Sequence, residues 1–230
     1  MKDRGSLYQS LLFSGLTTAE IALVAQVAPY KRYRRGEFIF VAGEKAQALY
    51  VLNDGHVKLL YRDPKGKETI IHIYGPDEVF GELLLAEELR IFSAQAMEGA
   101  LVSVIPKENF LYLLQKIPRL NLNFMVFLSE HIKVLKQELA DFGHTGSYER
   151  LAKILLKLAQ FHGEKVEEGI LIRLPLTHEI LSNMISSSRE TVTIYLNQLK
   201  KGGLVVGKGR KIVVVPEKIQ EYLQKTLMKI

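Results

Sequence analysis

Arg189 and Glu190 stand side by side, directly after the polar run Ser186-Ser187-Ser188 and at the start of an apolar-periodic segment. A guanidinium matches the two acceptors on the guanine edge, and a carboxylate accepts from the cytosine amino group. Hydroxyls surround the pair at Thr177, Ser188 and Thr191, a residue type that meets phosphate oxygens. Such chemistry works only when rigid elements present these side chains together. Apolar spacing supplies two short helices, the first predicted to bury Ile180, Leu181 and Met184, the second Val192, Leu196 and Leu199. Two helices around a short turn make a helix-turn-helix, whose second helix is sized for the major groove of double-stranded DNA. A surface ion pair is the alternative reading of Arg189 and Glu190.

The charge distribution favours the first reading. Residues 1–144 carry 17 Lys/Arg against 17 Asp/Glu, whereas residues 145–230 carry 14 against 8. Between Thr191 and Pro216 every charged residue is basic: Lys200, Lys201, Lys208, Arg210 and Lys211. A basic surface gains affinity for phosphate backbones by releasing counterions. Lys208, Arg210 and Lys211 fall at the tip of a predicted hairpin, Leu204 to Val215, so the DNA-binding unit is expected to be winged.

Other chemistries find little support. With no cysteine, iron–sulfur clusters and zinc–thiolate sites are excluded. His56 and His72 stand singly rather than in a His-x-His cluster, so no metal site is expected. There is no glycine-rich nucleotide loop and no nucleophile elbow, so an enzyme is not expected. No uncharged apolar run approaches the roughly 18 residues of a membrane span, and a cytoplasmic protein is expected.

Stepping outward, residues 7–27 read as helical, with Thr17 or Thr18 as the cap. From about 30 to 106, short β-rich runs at 37–41, 48–52, 56–61, 68–74 and 101–105 alternate with turn signals. They suggest an antiparallel β-roll of the jelly-roll kind. A short helix near 107–116 and a long one over 119–142 follow. In the long helix Phe124, Leu128, Ile132, Leu135, Leu139 and Phe142 are spaced 4, 4, 3, 4 and 3 apart, nearly a heptad seam. The seam predicts a homodimer; packing of the stripe on the chain's own β-domain is the alternative. Gly143–Ser147 reads as a hinge, with Ser147 capping a helix over 148–161. A strand at 170–174 precedes the helix-turn-helix, and a final helix spans 217–228. The fold class is α+β in three parts: β-roll 1–118, dimerisation helix 119–143 and winged helix-turn-helix 144–230.

This order resembles the cyclic AMP receptor protein/FNR family of transcription regulators over nearly the whole chain. The residues that carry the resemblance are Gly36-Glu, Gly43-Glu, Gly75-Pro-Asp-Glu-Val-Phe-Gly-Glu-Leu and Ser188-Arg-Glu-Thr-Val-Thr. It implies that Arg189 and Glu190 read G·C pairs and that Ser188, Thr191 and Thr177 contact phosphates. The family's third base reader, an Arg, is replaced by Ile194. The turn's usual Gly is Ser186, which places a Cβ at a left-handed position. RNA polymerase contact is implied for an exposed loop, His162 to Gly169. A regulatory module that binds a ligand and acts on protein partners is the rival to a DNA-binding regulator.

For the β-roll, the resemblance implies that Gly81, Glu82 and Leu83 open a short helix that holds an anion. Phe92 stands where cyclic-nucleotide binders place an Arg before Ser93, so cyclic AMP is not expected. Arg90, two positions earlier, resembles the arrangement of the 2-oxoglutarate-sensing nitrogen regulators. One reading is a small anionic effector held by Gly81, Glu82, Leu83, Arg90 and Ser93, with His131 or Lys136 from the long helix. The other is an Arg90 bonded to Glu87 or Glu88 over a filled pocket, giving a regulator that is active without a ligand. Haem would need His72 and His131, and no cofactor is expected.

Overall fold

Thr17 opens helix α1 (Thr18–Gln26) with a reciprocal cap in the computed structural model, which describes residues 10–86, 88–142, 146–207 and 211–227. The Glu20 N–H donates to the Thr17 hydroxyl at 3.3 Å, and the Glu20 carboxylate accepts from the Thr17 N–H at 2.7 Å. The helix expected over 7–27 is therefore shorter: Leu11–Phe13 is a separate 3-10 turn. The chain divides into two units, Met1–Ala140 and Asp141–Ile230.

In the first unit α1 is followed by β1 (Tyr30–Tyr33), β2 (Phe38–Phe40), β3 (Ala48–Asp54), β4 (Val57–Arg62), β5 (Glu68–Tyr74), β6 (Val79–Phe80), β7 (Ser93–Ala96) and β8 (Ala100–Pro106). They form two antiparallel sheets ordered β1-β8-β3-β6 and β2-β7-β4-β5, which is the expected β-roll. Strand β3 shows how one run of residues serves two cores. Leu49 and Val51 face a cluster with Ile21, Val24, Phe110 and Leu113 from the helices. Ala48, Tyr50 and Leu52 face the interior of the roll with Phe40, Val57, Tyr74 and Phe80. Period-two alternation sends successive side chains to opposite faces, and here both faces are covered. Strands β1, β6 and β7 escaped the sequence reading because they are polar, two residues long, or built of Ser, Ala and Gln.

Helix α2 (Lys107–Lys116) stops at Ile117, whose extended backbone is the conformation a following proline imposes. Pro118 then starts helix α3 (Pro118–Phe142), where its missing N–H costs nothing. The first turns of α3 belong to the β-roll core rather than to a separate element, since Leu120 and Phe124 are buried with Phe110 and Ile117.

In the second unit α4 (Ser147–His162) begins after Gly146. Ser147 is thus the first helical residue rather than the cap, and its hydroxyl accepts from Arg150 at 2.9 Å. Of the expected hinge, residues 143–145 lie outside the described ones. The segment expected as a loop over 162–169 is instead part of a hairpin, β9 (Gly163–Val166) with β10 (Gly169–Ile172). Helix α4 runs straight into β9, and a Cβ at Gly163 would lie 2.0 Å from the Ala159 carbonyl oxygen. Only glycine allows that approach. Then come α5 (His178–Ile185), α6 (Arg189–Lys201), β11 (Val205–Val206), β12 (Val213–Val214) and α7 (Pro216–Leu227). The strands form one sheet ordered β11-β12-β10-β9, so the helix-turn-helix is winged. Among the described residues no helix is long and apolar enough to cross a membrane.

Candidate nucleic-acid interface

The two helices of the motif pack through Leu181 and Ile185 of α5 and Val192, Leu196 and Leu199 of α6, all buried. The second helix matches the sequence reading. The first is rotated from it: Ile185 is buried, while Ile180 and Met184 are half-buried. Ser186 ends α5 in the left-handed region (φ 53°, ψ 41°), its N–H donating to the Ser182 carbonyl. The strain expected of a residue with a Cβ at this turn is present.

Both helices open with a hydroxyl cap. The Thr177 hydroxyl accepts from the Ile180 N–H at 3.1 Å, and the Ser188 hydroxyl accepts from the Thr191 N–H at 3.1 Å. A hydroxyl that accepts through one lone pair keeps further hydrogen-bonding capacity. Thr177, Ser188, Arg189 and Glu190 are all exposed and Thr191 is half-buried. The Glu190 carboxyl is held below its usual value of 4.5, first by its own N–H, then by the Ser188 hydroxyl and the Arg189 charge. It is therefore an acceptor at neutral pH, as cytosine recognition requires. Ile194 is 55% exposed, one turn beyond Glu190, an apolar surface suited to a thymine methyl rather than to a hydrogen bond. On the wing Lys211 is exposed, and Lys208 and Arg210 lie outside the described residues. The structure thus places Thr177, Ser188, Arg189, Glu190, Thr191 and Ile194 on the first turns of two packed helices.

The β-roll cavity bears on the effector reading. Gly81, Glu82, Leu83 and Arg90 do line one cavity, with Phe40, Leu59, Tyr74 and Phe92, but its volume is only about 20 Å³. That is the room of about one water. Arg90 is 4% exposed. It donates from Nη1 to the Gly81 carbonyl at 2.9 Å and from Nη2 to the Ala48 carbonyl at 2.5 Å. Its guanidinium also lies 4.5 Å from the centre of the Phe40 ring and 5.8 Å from that of Tyr50. Exposed Glu88 does not supply these bonds; the main chain does, and Glu87 lies outside the described residues. Gly81 adopts φ 82°, and a Cβ there would lie 2.9 Å from Tyr50 and 3.3 Å from Arg90 Nη1. The close approach that glycine offers an anion is taken by this chain's own side chains.

Around it Tyr50, Phe80 and Tyr74 stack in series at 5.1 Å spacing. Burial pushes the phenols of Tyr50 and Tyr74 up, so both remain neutral donors. Tyr50 and Tyr74 were legible as strand residues and Phe80 was not, and none of the three carried a signal as pocket filling. Ser93 faces elsewhere and accepts from the Ala42 N–H at 2.9 Å. His131 and Lys136 are exposed on α3 and are not in the cavity lining; the His131 Nδ1 pairs with the Phe127 carbonyl at 2.9 Å.

The seam on α3 also shifts. Phe124 belongs to the chain's own core: it is 4% exposed and meets Phe110 edge-on at 5.1 Å. Leu128 packs partly on the same core. Ile132, Leu135 and Leu139 are 53%, 60% and 76% exposed, and the Phe142 side chain lies outside the described ones. Met125, 52% exposed, replaces Phe124 and makes the spacing a strict 3, 4, 3, 4 through Leu128, Ile132, Leu135 and Leu139.

Comparisons with known proteins agree with both units. A cyclic nucleotide-binding domain model matches residues 30–117, and a Crp-like helix-turn-helix domain model matches residues 149–221. The chain is 31% identical to the cyclic AMP receptor protein of Thermus thermophilus over 197 residues, 85% of this chain and 88% of that protein. It is 30% identical to the global nitrogen regulator of Synechocystis over 185 residues, 79% of this chain and 82% of that one. The structure of FixK2 from Bradyrhizobium japonicum shares the fold, with a TM-score of 0.75 at 21% identity over 85% of this chain and 96% of that chain. Two polar helix starts on a packed helix-turn-helix, behind a β-roll and a long helix, therefore have the family their order implied: the chain belongs to the cyclic AMP receptor protein/FNR family of transcription regulators, with a helix-turn-helix DNA-binding domain.

Proposed function

We propose that this regulator binds a palindromic operator as a homodimer and does so without a small-molecule effector in its β-roll. The observation that carries the DNA reading is the exposed Arg189–Glu190 pair on the first turn of α6, directly after its hydroxyl cap Ser188. Arg189 reads guanine, Glu190 accepts from a cytosine amino group, and Thr177, Ser188 and Thr191 meet phosphates. Ile194 leaves one flanking position loosely read. Half-sites lie about one helical turn apart, roughly 10 bp.

The dimer reading rests on the seam of exposed Met125, Ile132, Leu135 and Leu139 with half-buried Leu128, which is unsuited to water and spaced for a coiled coil. Leu135→Lys is expected to weaken dimerisation at least about 100-fold, since it places a charge at an apolar seam position. Sedimentation equilibrium measures this, and an unchanged dimer would remove the seam.

The filled cavity and the main-chain bonds of Arg90 support effector independence. The same reading has no haem: His72 lies against Tyr74 at 4.6 Å and Glu78 at 3.7 Å, and His131 stands exposed on α3. A haem absorbance band in the purified protein would reverse that part. RNA polymerase is the proposed partner of the exposed Glu167–Glu168 turn of the β9–β10 hairpin, and in vitro transcription after their replacement by Ala tests it. The deciding experiment selects an operator from random duplexes and measures binding by gel shift, with and without cyclic AMP and 2-oxoglutarate. Equal binding throughout is expected. Binding that requires either ligand would overturn effector independence, and no selected sequence would overturn the DNA reading.

A further inference from the structure

The two helix starts of the DNA-binding face are joined by more than apolar packing. His178 occupies the first position of α5, beside the capping Thr177, and is half-buried. Its Nδ1 lies 2.7 Å from the Thr193 hydroxyl on α6. That hydroxyl lies 3.0 Å from the Arg189 carbonyl oxygen, one turn back on the same helix.

A threonine hydroxyl has one hydrogen, and a carbonyl can only accept. When that hydrogen goes to the Arg189 carbonyl, the Thr193 oxygen must receive its second bond from a hydrogen on the His178 Nδ1. We propose that His178 is a positioning residue for base reading, acting through the relay His178 Nδ1–H to Thr193 Oγ1–H to the Arg189 carbonyl. The relay rests on the reading that Arg189 contacts DNA. It ties the first turn of α6, which carries Arg189 and Glu190, to the first turn of α5, which carries the phosphate-facing Thr177.

The physical need for it is local. A threonine that bonds back to the carbonyl four residues earlier tends to bend its helix. A bend there would fall on the turn that aims the two base readers. A second bond from α5 holds Thr193 in one rotamer and so fixes that turn. The phosphate contact then sets the register of the base contact through directional bonds, while Leu181 and Val192 beneath supply attraction without direction.

The relay also fixes the ring. The neutral His178 must carry its hydrogen on Nδ1, leaving Nε2 as the acceptor nitrogen. A tautomer is readable independently of DNA, by ring nitrogen shifts of the full-length protein labelled at histidine. The expected result is Nδ1–H in the wild type and loss of that preference in Thr193→Val, which keeps the shape and removes the hydroxyl.

On DNA, Thr193→Val and His178→Gln are expected to lower the ratio of operator to random-duplex affinity about tenfold, the size of one lost half-buried hydrogen bond. Random-duplex affinity should stay the same. His178→Asn places an amide donor close to where Nδ1 stood, and Thr193→Ser keeps the hydroxyl; both should hold the ratio within about threefold. The double variant His178→Gln/Thr193→Val should be no worse than either single change. An Nε2–H ring in the wild type, or an unchanged ratio in both Thr193→Val and His178→Gln, would overturn the relay. A wild type that does not distinguish operator from random DNA would instead sink the DNA reading, and the tautomer would still decide the relay.

Discussion

In the β-roll, Arg90 is 4% exposed and both of its terminal nitrogens end on main-chain carbonyls, whereas Arg189 stands exposed on the first turn of the recognition helix. The two helix caps differ in the same sense. The Thr17 hydroxyl accepts from the Glu20 N–H and donates to the Glu20 carboxylate at 2.8 Å, so both roles are filled within the chain. The Thr177 hydroxyl, exposed beside α5, accepts from Ile180 and keeps donor capacity for a phosphate. Identical residue types thus serve the chain's own packing in one unit and, in the proposed function, recognition in the other. What separates the two arginines is whether the fold encloses the side chain or leaves it exposed.

The sharpest way to break this contrast is to exchange the consequences of losing each arginine. Arg90→Met leaves two buried carbonyls without their donors, and should cost about 3 kcal/mol of β-roll stability in urea denaturation followed by circular dichroism. An unchanged midpoint would mean that Arg90 is not committed to the fold. Arg189→Ala should leave stability alone and cost about 1–3 kcal/mol of operator affinity, with relaxed preference at one base pair. Equal losses on operator and random DNA in a binding titration would contradict base reading.

A smaller effect tests the turn between them in sequence. Ser186 holds φ 53°, so Ser186→Gly should raise the melting stability of the DNA-binding unit by about 1 kcal/mol. A destabilised variant would show that the serine side chain has a bonding role there. The least effect is expected at the α1 cap. The Glu20 carboxyl is held below 4.5 because the Thr17 N–H, and then its hydroxyl, donate to the ionised form. A depressed value means that this stabilisation is complete above about pH 4.5 and is lost as pH falls through the folded-state value. Glu20→Gln should therefore lower stability slightly at pH 7, converge with the wild type at the acid end of that window, and so flatten the profile. Matching acid profiles for the two proteins would remove the carboxylate from the cap.

Much of this was readable in advance where residue type and periodicity agree. Val192, Leu196 and Leu199 fall on one face at helical spacing, and they are buried. Ser186 was legible because a turn that needs positive φ is intolerant of a Cβ wherever it occurs. The polar strands β1 and β7 left no periodic trace, being held by their neighbours' ladders rather than by their own apolar faces. Phe124 was misread because it sits on nearly the same stripe as Met125, and a one-residue rotation of about 100° decides between core and surface. The His178–Thr193 pair joins residues fifteen apart on two helices, a distance at which spacing on either helix carries no information.

The sequence by itself determined the order of the elements, the helix-turn-helix and the polar Arg189–Glu190 pair that opens its second helix, because these follow from local periodicity, capping and side-chain chemistry. Only the tertiary structure decided what Arg90 does. Its neighbours Ala48, Gly81, Phe40 and Tyr50 come from separate parts of the chain, and whether they leave a guanidinium open or enclose it depends on how two sheets close around it.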